Sequence, residues 1–554
     1  MVDDTLGRAP TRPLDNPTLV IAGASVGALF EWYDFFLYGS LASYIARHFF
    51  AGVDERASFT FALGAFAAGF IARPFGALVF GRIGDLVGRK NTFLVTMLIM
   101  GLSTFLVGLL PGYATLGVAA PILLVALRLL QGLAIGGEYG GAAIYVAEHA
   151  PPSRRAFHTS FINAMASGGL VISLLVIIGF RLALSEADFQ AWGWRLPFLV
   201  SAVLLGVSLW IRLKLGESPV FQRMKEQDTT SKAPLSETFG QWKNLKLVVT
   251  ALFGAIAGST VIWYAAQFYA LFFLQRLLKV DDLQTYFIMA AAVAIAIPSF
   301  PILGWLSDRI GRKPIVLAGC ALGALSLFPA FHALTEAANP ALAQAQRNAP
   351  VVVHADPAAC SIQFDPVGAN RFDATDCDIA KSYLSRAGVS YRNAALAAGA
   401  PTEIRLGDQI LRVPDPRGLT PQARDQAIAA FKDQAQAALS AVGYPAKADP
   451  VRVDTPRVIA IVAFLVILAA MTYAPAAAFL VELFPARIRY TALSFPYHLG
   501  SGWIGGLLPA TAFAIVTTKG DIYSGLWYPV VIAGAGTVIG LVFLPETRGR
   551  DIEA

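Results

Sequence analysis

The chain has 554 residues, of which 56% are hydrophobic and 14% are charged, and its formal net charge is +6. Soluble globular domains are about 25% charged, and disordered chains combine low hydrophobicity with high charge. The composition therefore excludes a disordered protein and argues against a cytosolic multidomain enzyme, and three cysteines are too few for a disulfide scaffold. It indicates a polytopic membrane protein.

Twelve apolar segments follow one another along the chain, each long enough for a helix that crosses a bilayer with about 20 residues. They lie at 18–46, 58–80, 91–110, 117–147, 158–184, 192–215, 245–275, 284–304, 315–335, 456–481, 495–518 and 525–545. Gly and Ala are scattered through them, which lets helices approach closely in lipid. We predict an all-α membrane protein of twelve transmembrane helices.

Lysine and arginine are concentrated in one alternate set of loops. These loops hold Arg82, Arg89, Lys90, Arg154, Arg155, Arg309, Arg312, Lys313, Arg487 and Arg489. Because short cytoplasmic loops carry the excess of positive residues, we predict that these loops and both termini are cytoplasmic. The stretch from Arg212 to Lys246 fits the same side. The first span is expected to serve as an uncleaved insertion signal.

Two pairs of similar segments divide the chain into halves. GRIGDLVGRK at 81–90 matches GWLSDRIGRK at 304–313, and YVAEHAPPSRR, which contains Glu148, matches FLVELFPARIR, which contains Glu482. Because internal repeats of transporters correspond to similar helix bundles, we predict two pseudo-symmetric halves of six helices. The second pair is separated by about 110 residues more than the first, so the second half contains an insertion of that size.

The polar stretch at 336–455 is the place for this insertion. It joins the ninth predicted helix to the tenth on the face opposite the basic loops, so we predict that it is extracytoplasmic. The remaining predicted divisions are a cytoplasmic tail at 1–17, an N-terminal bundle at 18–215, a cytoplasmic linker at 216–244, a C-terminal bundle at 245–335 plus 456–545, and a cytoplasmic tail at 546–554.

The insertion has the sequence pattern of a small α+β unit. Thr420 and Pro421 are suited to the N-cap and first position of a helix, which would end before Gly443. The segment EIRLGDQILRV at 403–413 predicts two short strands that turn at Gly407. A soluble unit of this size offers a surface for an extracytoplasmic partner.

Two of the three cysteines, Cys360 and Cys377, lie in the insertion. Outside the cytoplasm two such cysteines are expected to form a disulfide, and the alternative is a pair of free thiols. Cys320 lies within the ninth predicted span, where packing is the simplest interpretation.

Several motifs carry a family resemblance. The two copies of the GRIGDLVGRK motif and the segment RLLQGLAIGGEYGGAAIYVAE resemble the major facilitator superfamily. FEWYDFFLYG, ELFPARIRYTALSF and FLPETRGRD narrow the resemblance to its metabolite:proton symporter branch. This branch implies a multi-pass carrier of the bacterial inner membrane, for citrate, 2-oxoglutarate, shikimate, or proline and betaine. The resemblance covers the chain except for 336–455.

Charges inside predicted spans are candidates for proton coupling, because an unpaired charge in a bilayer costs several kcal/mol. Glu31 and Asp34 share one face of the first helix, and Arg128 and Glu138 lie in the fourth. Arg128 also resembles the fourth-helix arginine that the superfamily associates with proton coupling. The alternative is a fixed ion pair that only orients helices, either Asp34 with Arg128 or Arg73 with Glu138.

Arg73 and Arg128 are also the candidates for binding an anionic substrate, because a guanidinium binds a carboxylate through two parallel hydrogen bonds. Further polar side chains predicted to bind substrate are Gln131, Tyr264, Gln267, Tyr497 and His498. For His498 a hydrogen-bonded core position is the alternative, and for Tyr264 a position at the lipid boundary.

The repeated loop motifs resemble the gating motif of the family. The candidate gating residues in the first pair of loops are Asp85, Arg89 and Lys90, repeated as Asp308, Arg312 and Lys313. In the second pair, Glu148 with Arg155 and Glu482 with Arg489 fit the same role. An aspartate at a helix end can accept backbone N–H bonds from a neighbouring helix terminus and so latch one access state. Positive-inside topology alone is the alternative, but it does not explain the repeated acids.

The sequence shows no Walker A loop and no CxxC or HExxH metal spacing, so we predict no ATP-driven pump, no metal, no cofactor and no enzyme. The partners are expected to be a small substrate, a proton and the lipid bilayer, without nucleic acid. The leading hypothesis is a proton-coupled symporter of an organic acid that works by alternating access. The alternatives are a symporter of a zwitterionic osmolyte and a transceptor whose insertion binds a ligand or partner.

Overall fold

The computed structural model describes residues 17–50, 55–213, 217–362, 372–407 and 409–552. Two helices open this part of the chain, α1 (Pro17–Ser40) and α2 (Glu55–Val87). Seven more follow: α3 (Arg89–Leu109), α4 (Ala119–His149), α5 (Pro152–Ala183), α6 (Gly193–Leu213), α7 (Trp242–Leu277), α8 (Asp282–Ile310) and α9 (Arg312–Ala338). Short helices lie between them at Ala42–Phe49, Tyr113–Leu116, Glu186–Ala191, Pro219–Glu226 and Pro234–Gly240.

A small α+β unit, here called the insert, occupies the chain after α9. Its helices are α10 (Pro340–Asn348), α11 (Asp376–Arg386) and α12 (Pro421–Ala441). Its strands are β1 (Val351–Ala355), β2 (Tyr391–Ala395), β3 (Glu403–Leu406) and β4 (Gln409–Arg412). They form one sheet in the order β2-β1-β3-β4, with β1 parallel to β2 and the other two pairings antiparallel.

Three long helices end the chain: α13 (Thr455–Leu483), α14 (Ala486–Lys519) and α15 (Ser524–Phe543). Together with α3 to α9 they make ten helices, among the described residues, that are long and apolar enough to cross a membrane. The fold is therefore a mainly helical membrane bundle, as the apolar segments predicted, and α1 and α2 coincide with the first two predicted spans.

The elements predicted inside the insert are confirmed. Strands β3 and β4 lie within 403–413, and α12 begins after Thr420, whose hydroxyl accepts a hydrogen bond from the Ala423 N–H at 3.3 Å. The parallel strands β1 and β2 and the helices α10 and α11 were not predicted, because each strand is only five residues long and shows no strict alternation of polar and apolar residues. The structure joins Cys360 to Cys377 in a disulfide, and Cys320 is buried in α9.

Glycines bring α2 and α4 into backbone contact. A Cβ atom at Gly76 would overlap the carbonyl of Leu133, and one at Gly132 would overlap the carbonyl of Gly69. Small residues at these positions are what membrane helices need for close approach. The contact fixes the relative positions of the arginines that α2 and α4 carry.

The insert forms hydrogen bonds with the chain where α7 ends and where α14 ends. Asn339 donates to the Leu278 carbonyl at 2.9 Å, and the Ala448 N–H donates to the Lys279 carbonyl at 3.1 Å, both in the α7–α8 connection. At the α14–α15 connection, Tyr391 donates to the carbonyls of Thr517 and Gly520. The basic loops lie at the other end of the same helices, which we call the basic end.

Candidate functional site

Arg73 of α2 lies in an aromatic enclosure at the middle of the bundle. Its guanidinium carbon is 4.4 Å from the ring centre of Phe35 and 4.6 Å from that of Phe70. Aromatic faces stabilise a cation at such distances. Its Nη1 atom donates to the hydroxyl of Tyr264 on α7 at 3.4 Å, while its Nε and Nη2 atoms are buried without a hydrogen-bond partner among the described residues. Two guanidinium donors thus remain for another acceptor.

Arg128 of α4 begins a row of polar side chains that reaches Asp34. Its Nη1 atom donates to Gln131 Oε1 at 2.6 Å, and Gln131 Nε2 donates to the Thr104 hydroxyl at 2.7 Å. The Asp34 carboxyl lies beside this same hydroxyl. The Thr104 hydroxyl itself donates to the Met100 carbonyl at 3.1 Å, so Gln131 and Thr104 lie between Arg128 and Asp34 without completing a hydrogen-bonded chain. The direct ion pair of Asp34 with Arg128, which the sequence had offered as the alternative, is not formed among the described residues. The sequence did not indicate Thr104, because a lone threonine in an apolar helix is common.

Glu138 of α4 pairs with Arg212 of α6 at 3.0 Å, and both side chains are buried. Glu31 lies within electrostatic range of both residues. The alternative pairing of Glu138 with Arg73 is wrong, because Glu138 pairs with Arg212. Arg212 lies in the last turn of α6, within the sixth predicted span, and its side chain is buried in the bundle. Gly27 of α1 leaves room for the Arg212 guanidinium, because a Cβ atom at that position would overlap it.

The C-terminal half contributes aromatic and neutral polar side chains. Tyr497 of α14 stacks on Tyr139 of α4 with ring centres 3.6 Å apart, and His498 is buried next to it without a hydrogen-bond partner among the described residues. Gln267 of α7 donates to the Ser167 hydroxyl of α5 at 3.4 Å. All these predicted substrate residues are buried between the two halves, so Tyr264 does not lie at the lipid boundary.

Helix α7 departs from regular α-helical geometry in the segment that carries Tyr264 and Gln267. It contains π-helical turns at Leu252–Ile256, Ala265–Tyr269 and Phe273–Leu277, and α14 contains one at Gly500–Gly505. Such turns occur frequently at functional sites. We call Glu31, Asp34, Arg73, Arg128, Glu138 and Arg212, together with the rings around them, the central site.

At the basic end, two aspartates cap helices of the opposite half. Asp85 accepts hydrogen bonds from the N–H groups of Tyr490 at 3.1 Å and Thr491 at 2.9 Å, at the start of α14. Asp308 accepts them from Ala156 at 3.0 Å and Phe157 at 2.8 Å, at the start of α5. A carboxylate at a helix N-terminus satisfies unpaired N–H groups and interacts favourably with the helix dipole.

Two glutamates complete this arrangement, with partners that differ from the predicted ones. Glu148 pairs with Arg489 at 2.9 Å and also contacts Arg89. Glu482 pairs at 3.0 Å with both Arg155 and Arg312. The predicted pairs of Glu148 with Arg155 and Glu482 with Arg489 are wrong, because each glutamate reaches across to the arginine of the other half. We call these four acids and their partners the basic-end latch.

The structure adds two acids to the latch that the sequence did not single out. Glu217 accepts from the backbone N–H groups of Arg89 and Lys90 at 3.3 and 3.2 Å, and Glu546 accepts from those of Arg312 and Lys313 at 2.9 and 3.1 Å. The segments GES at 216–218 and PET at 545–547 are a third repeated pair that could have revealed them. The Nζ atom of Lys313 donates to main-chain carbonyls of its own half.

The chain has relatives among known families and proteins. A family model described as Major Facilitator Superfamily matches residues 24–343, and one described as Sugar (and other) transporter matches residues 436–554. The chain is 35% identical over 320 residues to Alpha-ketoglutarate permease of Escherichia coli (strain K12), which covers 58% of this chain and 72% of that protein. It is 34% identical over 321 residues to the Proline/betaine transporter of the same strain, covering 56% and 63%.

The same fold occurs in a solved structure. The proton:xylose symporter XylE from E. coli aligns with a TM-score of 0.60, at 14% identity, over 97% of this chain and 98% of that one. At this level of identity the similarity concerns the fold, and it includes both groups of helices that meet at the central site.

Proposed function

Because the chain belongs to the major facilitator superfamily, we propose that it is a proton-coupled symporter of a small organic acid that works by alternating access. The matching family and the relatives are transporters, so the chain is a multi-pass inner-membrane transporter and not an enzyme. The observation that carries the proposal is the pair of unpartnered donors on Arg73, held between aromatic rings where the two halves meet.

We further propose twelve transmembrane helices in two halves, α1–α6 and α7–α9 with α13–α15. The insert then joins the ninth helix to the tenth on the extracytoplasmic side, and both termini and the linker at 216–244 are cytoplasmic. The positive residues at the basic end support this orientation. The latch supports the division into halves, because its two aspartates cap helices reciprocally between them.

The latch supports alternating access as the mechanism. Asp85 and Asp308 hold the halves together at the basic end through backbone N–H bonds, and Glu148 and Glu482 do so through arginines. These bonds close the proposed cytoplasmic side. Opening that side requires the bonds to break, so the substrate must supply part of the free energy by binding one state more tightly than the other.

The charges of the central site support proton coupling. Glu138 is buried in an ion pair with Arg212, and Glu31 is buried within electrostatic range of Arg212, Arg73, Glu138 and Asp34. One oxygen of the Glu31 carboxyl has no hydrogen-bond partner among the described residues, and burying a carboxylate in this way is unfavourable unless it holds a proton. Gln131 and Thr104 lie between Arg128 and Asp34, so a substrate carboxylate at that arginine would bring a second negative charge near the Asp34 carboxyl. We propose Glu31 and Asp34 as the proton carriers and Arg73 and Arg128 as the substrate ligands.

A zwitterionic osmolyte is the second candidate substrate, and the rings of the central site favour it. Trp32, Phe36, Trp263 and Phe268 pack against one another with ring centres between 5.0 and 6.2 Å apart. The faces of such rings bind quaternary ammonium groups, and a change of access that separated these rings would expose those faces to the substrate. The relative named Proline/betaine transporter shows that this branch includes such a carrier.

Uptake into proteoliposomes under an imposed pH gradient tests the proposal. We expect accumulation of a carboxylate such as 2-oxoglutarate, and Asp34→Asn should abolish accumulation while leaving exchange, because the variant can cycle without taking up a proton. Glu226→Gln, an exposed carboxylate change, is the matched control. Uptake of betaine with none of any carboxylate would replace the organic acid, and unchanged accumulation by Asp34→Asn would remove Asp34 from the mechanism.

Removal of residues 340–452 tests the transceptor alternative. A symporter whose insert is a cover or a partner surface should retain uptake after this deletion, because the ends of α9 and α13 remain joined. Loss of uptake by a folded, membrane-inserted variant would instead assign the insert an essential part in transport.

A further inference from the structure

A cavity of 420 Å³ lies where the insert meets the α7–α8 connection. It shares no lining residue with the central site. Its size falls within the range of small-molecule sites, about 300–1,000 Å³. Its walls come from α11, α12, the segment after α12 and the loop residue Lys279, so the insert and the carrier build it together.

Positive side chains dominate the polar lining. The cations are Lys279, Arg386, Lys432 and Lys447, and the acid that lines the same cavity is Asp373. Lys279 and Lys432 are half-buried, whereas Arg386 and Lys447 are exposed at the mouth. Because like charges repel and partial burial weakens their screening by water, this arrangement favours an anion between them.

The backbone of Lys279 shows that a lysine occupies this position at a cost. Its φ angle is +57°, directly after α7, where glycine is the usual residue because a side chain is strained there. The Val280 N–H donates to the Leu274 carbonyl at 2.9 Å and closes the helix end. The Lys279 ammonium donates to the carbonyl of Arg386, which directs it towards the insert.

Positive side chains act directly on Lys279, while Asp282 at the start of α8 lies within electrostatic range of Arg276 and Lys447. Burial, together with Arg276 and Arg386, lowers the pKa of Lys279 to about 8. A bound anion would therefore interact with an ammonium group that other cations destabilise, and its binding would raise this pKa.

The rest of the lining is apolar, with one hydroxyl available. Ile379, Ile428 and Leu439 form the apolar wall. The Tyr444 hydroxyl donates to the Ala349 carbonyl at 2.9 Å, whereas the Tyr383 hydroxyl is buried without a hydrogen-bond partner among the described residues. A ligand that fits this lining has a negatively charged end and an apolar body.

We propose that this cavity binds a small organic anion, with its carboxylate between Lys279, Lys432 and Lys447 and its carbon skeleton against Ile428 and Leu439. The Tyr383 hydroxyl donates a further hydrogen bond to it. The site goes beyond the transport function and does not depend on it, because it shares no residue with the central site. Inorganic phosphate could meet the same positive charges, but it would leave the apolar wall without a partner.

Chemical footprinting of the purified full-length protein tests the site. Lysines are acetylated with and without citrate at constant ionic strength, and the modified residues are quantified by mass spectrometry. We expect citrate to slow acetylation of Lys279, Lys432 and Lys447 by about tenfold at saturation. Lys243, which is exposed at the basic end, is the internal control and should not change.

A double variant, Lys432→Gln with Lys447→Gln, removes two of the cations. Protection of Lys279 should then require about tenfold more citrate. The matched control, Arg405→Gln with Arg412→Gln, removes the same charge from exposed positions on β3 and β4 and should leave the citrate dependence unchanged. An equal loss in both double variants would show a general charge effect and overturn the proposal.

The pH dependence gives a separate readout. The titratable groups around Lys279 are Arg276 on α7, Asp281 and Asp282 at the start of α8, Tyr383 and Arg386 on α11, Lys432 on α12, Tyr444 and Lys447 after α12, and Asp373 before α11. Since the pKa of Lys279 is about 8, citrate affinity should fall as pH rises from 7 to 9, through loss of that positive charge. Lack of protection at millimolar citrate, or equal protection by inorganic phosphate, would overturn the assignment to an organic anion.

Discussion

The basic-end latch and the central site both bury arginines and carboxylates, but these groups are all paired in the latch and only partly paired in the central site. In the latch, Glu148 and Glu482 each contact two arginines, and the partners come from both halves. In the central site, Arg73 keeps two donors without a protein partner in the described structure, and Glu31 shares Arg212 with Glu138. The acids of the latch are all paired within the protein, whereas the central site keeps buried polar groups that the proposed substrate and proton would satisfy.

The largest effect should come from Arg212→Gln, which removes a positive charge from beside the buried carboxyl groups of the central site. Glu138 would lose its ion-pair partner and Glu31 a nearby cation, and breaking a buried ion pair costs about 3–5 kcal/mol. We expect a strong loss of thermal stability, followed through the reactivity of Cys320, the described free thiol, which is buried in α9. Adding Glu138→Gln should restore part of the loss, and a double variant no more stable than the single one would contradict the pairing.

A smaller effect is expected when the latch loses one acid. Glu482→Gln should favour opening of the basic end, because Arg155 and Arg312 lose their shared carboxylate. A cysteine at Ala156, a buried position beside Asp308, in a Cys320→Ser background should then be alkylated about tenfold faster. Glu148→Gln should act similarly.

The control for the latch is another ion pair at the same end. Glu237 and Arg487 lie 3.0 Å apart, and the Arg487 side chain is half exposed. Exposed pairs contribute about 0–1 kcal/mol, so Glu237→Gln should leave the alkylation rate unchanged. If Glu237→Gln and Glu482→Gln accelerated alkylation equally, the latch would have no special part in closure.

The smallest effect should come from Gly88→Ala, which disturbs the latch through its backbone. Gly88 has a φ angle of +129°, and a Cβ atom there would lie 2.5 Å from Glu217 Oε2. An alanine with positive φ costs about 1–2 kcal/mol, so the denaturation midpoint should fall. Gly206→Ala in α6, where a Cβ atom meets nothing within 4 Å, is the matched control and should be neutral or stabilising. A neutral Gly88→Ala would contradict the role of Glu217.

The repeats predicted more of the structure than the individual charges did. The difference between the offsets of Asp85–Asp308 and Glu148–Glu482 predicted an insertion at 336–455, because equivalent positions of a repeat keep their spacing, and a folded α+β unit occupies most of that stretch. The similarity of the two repeats also made the ion-pair partners of Glu148 and Glu482 impossible to predict from the sequence. Arg155 and Arg489 occupy equivalent positions, and nothing along a single chain distinguishes a contact within one half from the equivalent contact between halves.

Arg212 shows a different limit. At the end of a predicted span an arginine usually extends to the water interface, and Arg212 entered the prediction only as part of the positive stretch that ends at Lys246. The structure turns it inward because Gly27, on a helix almost two hundred residues earlier, leaves room for its guanidinium. Such a contact depends on how α1 packs against α6, which no local pattern contains. Thr104 was missed for the same reason, since its partners Gln131 and Asp34 lie on other helices.

The insert enters and leaves the bundle at one place. The Asp454 N–H donates to the Ala337 carbonyl at 2.9 Å, so the last turn of α9 and the approach to α13 are in direct contact. Closing a long loop costs little more than closing a short one, and here the ends are already together. The junction thus behaves as a grafting point, where one folded domain can replace another of any length whose termini are adjacent, and where a reporter domain could be placed on the transporter without separating its helices.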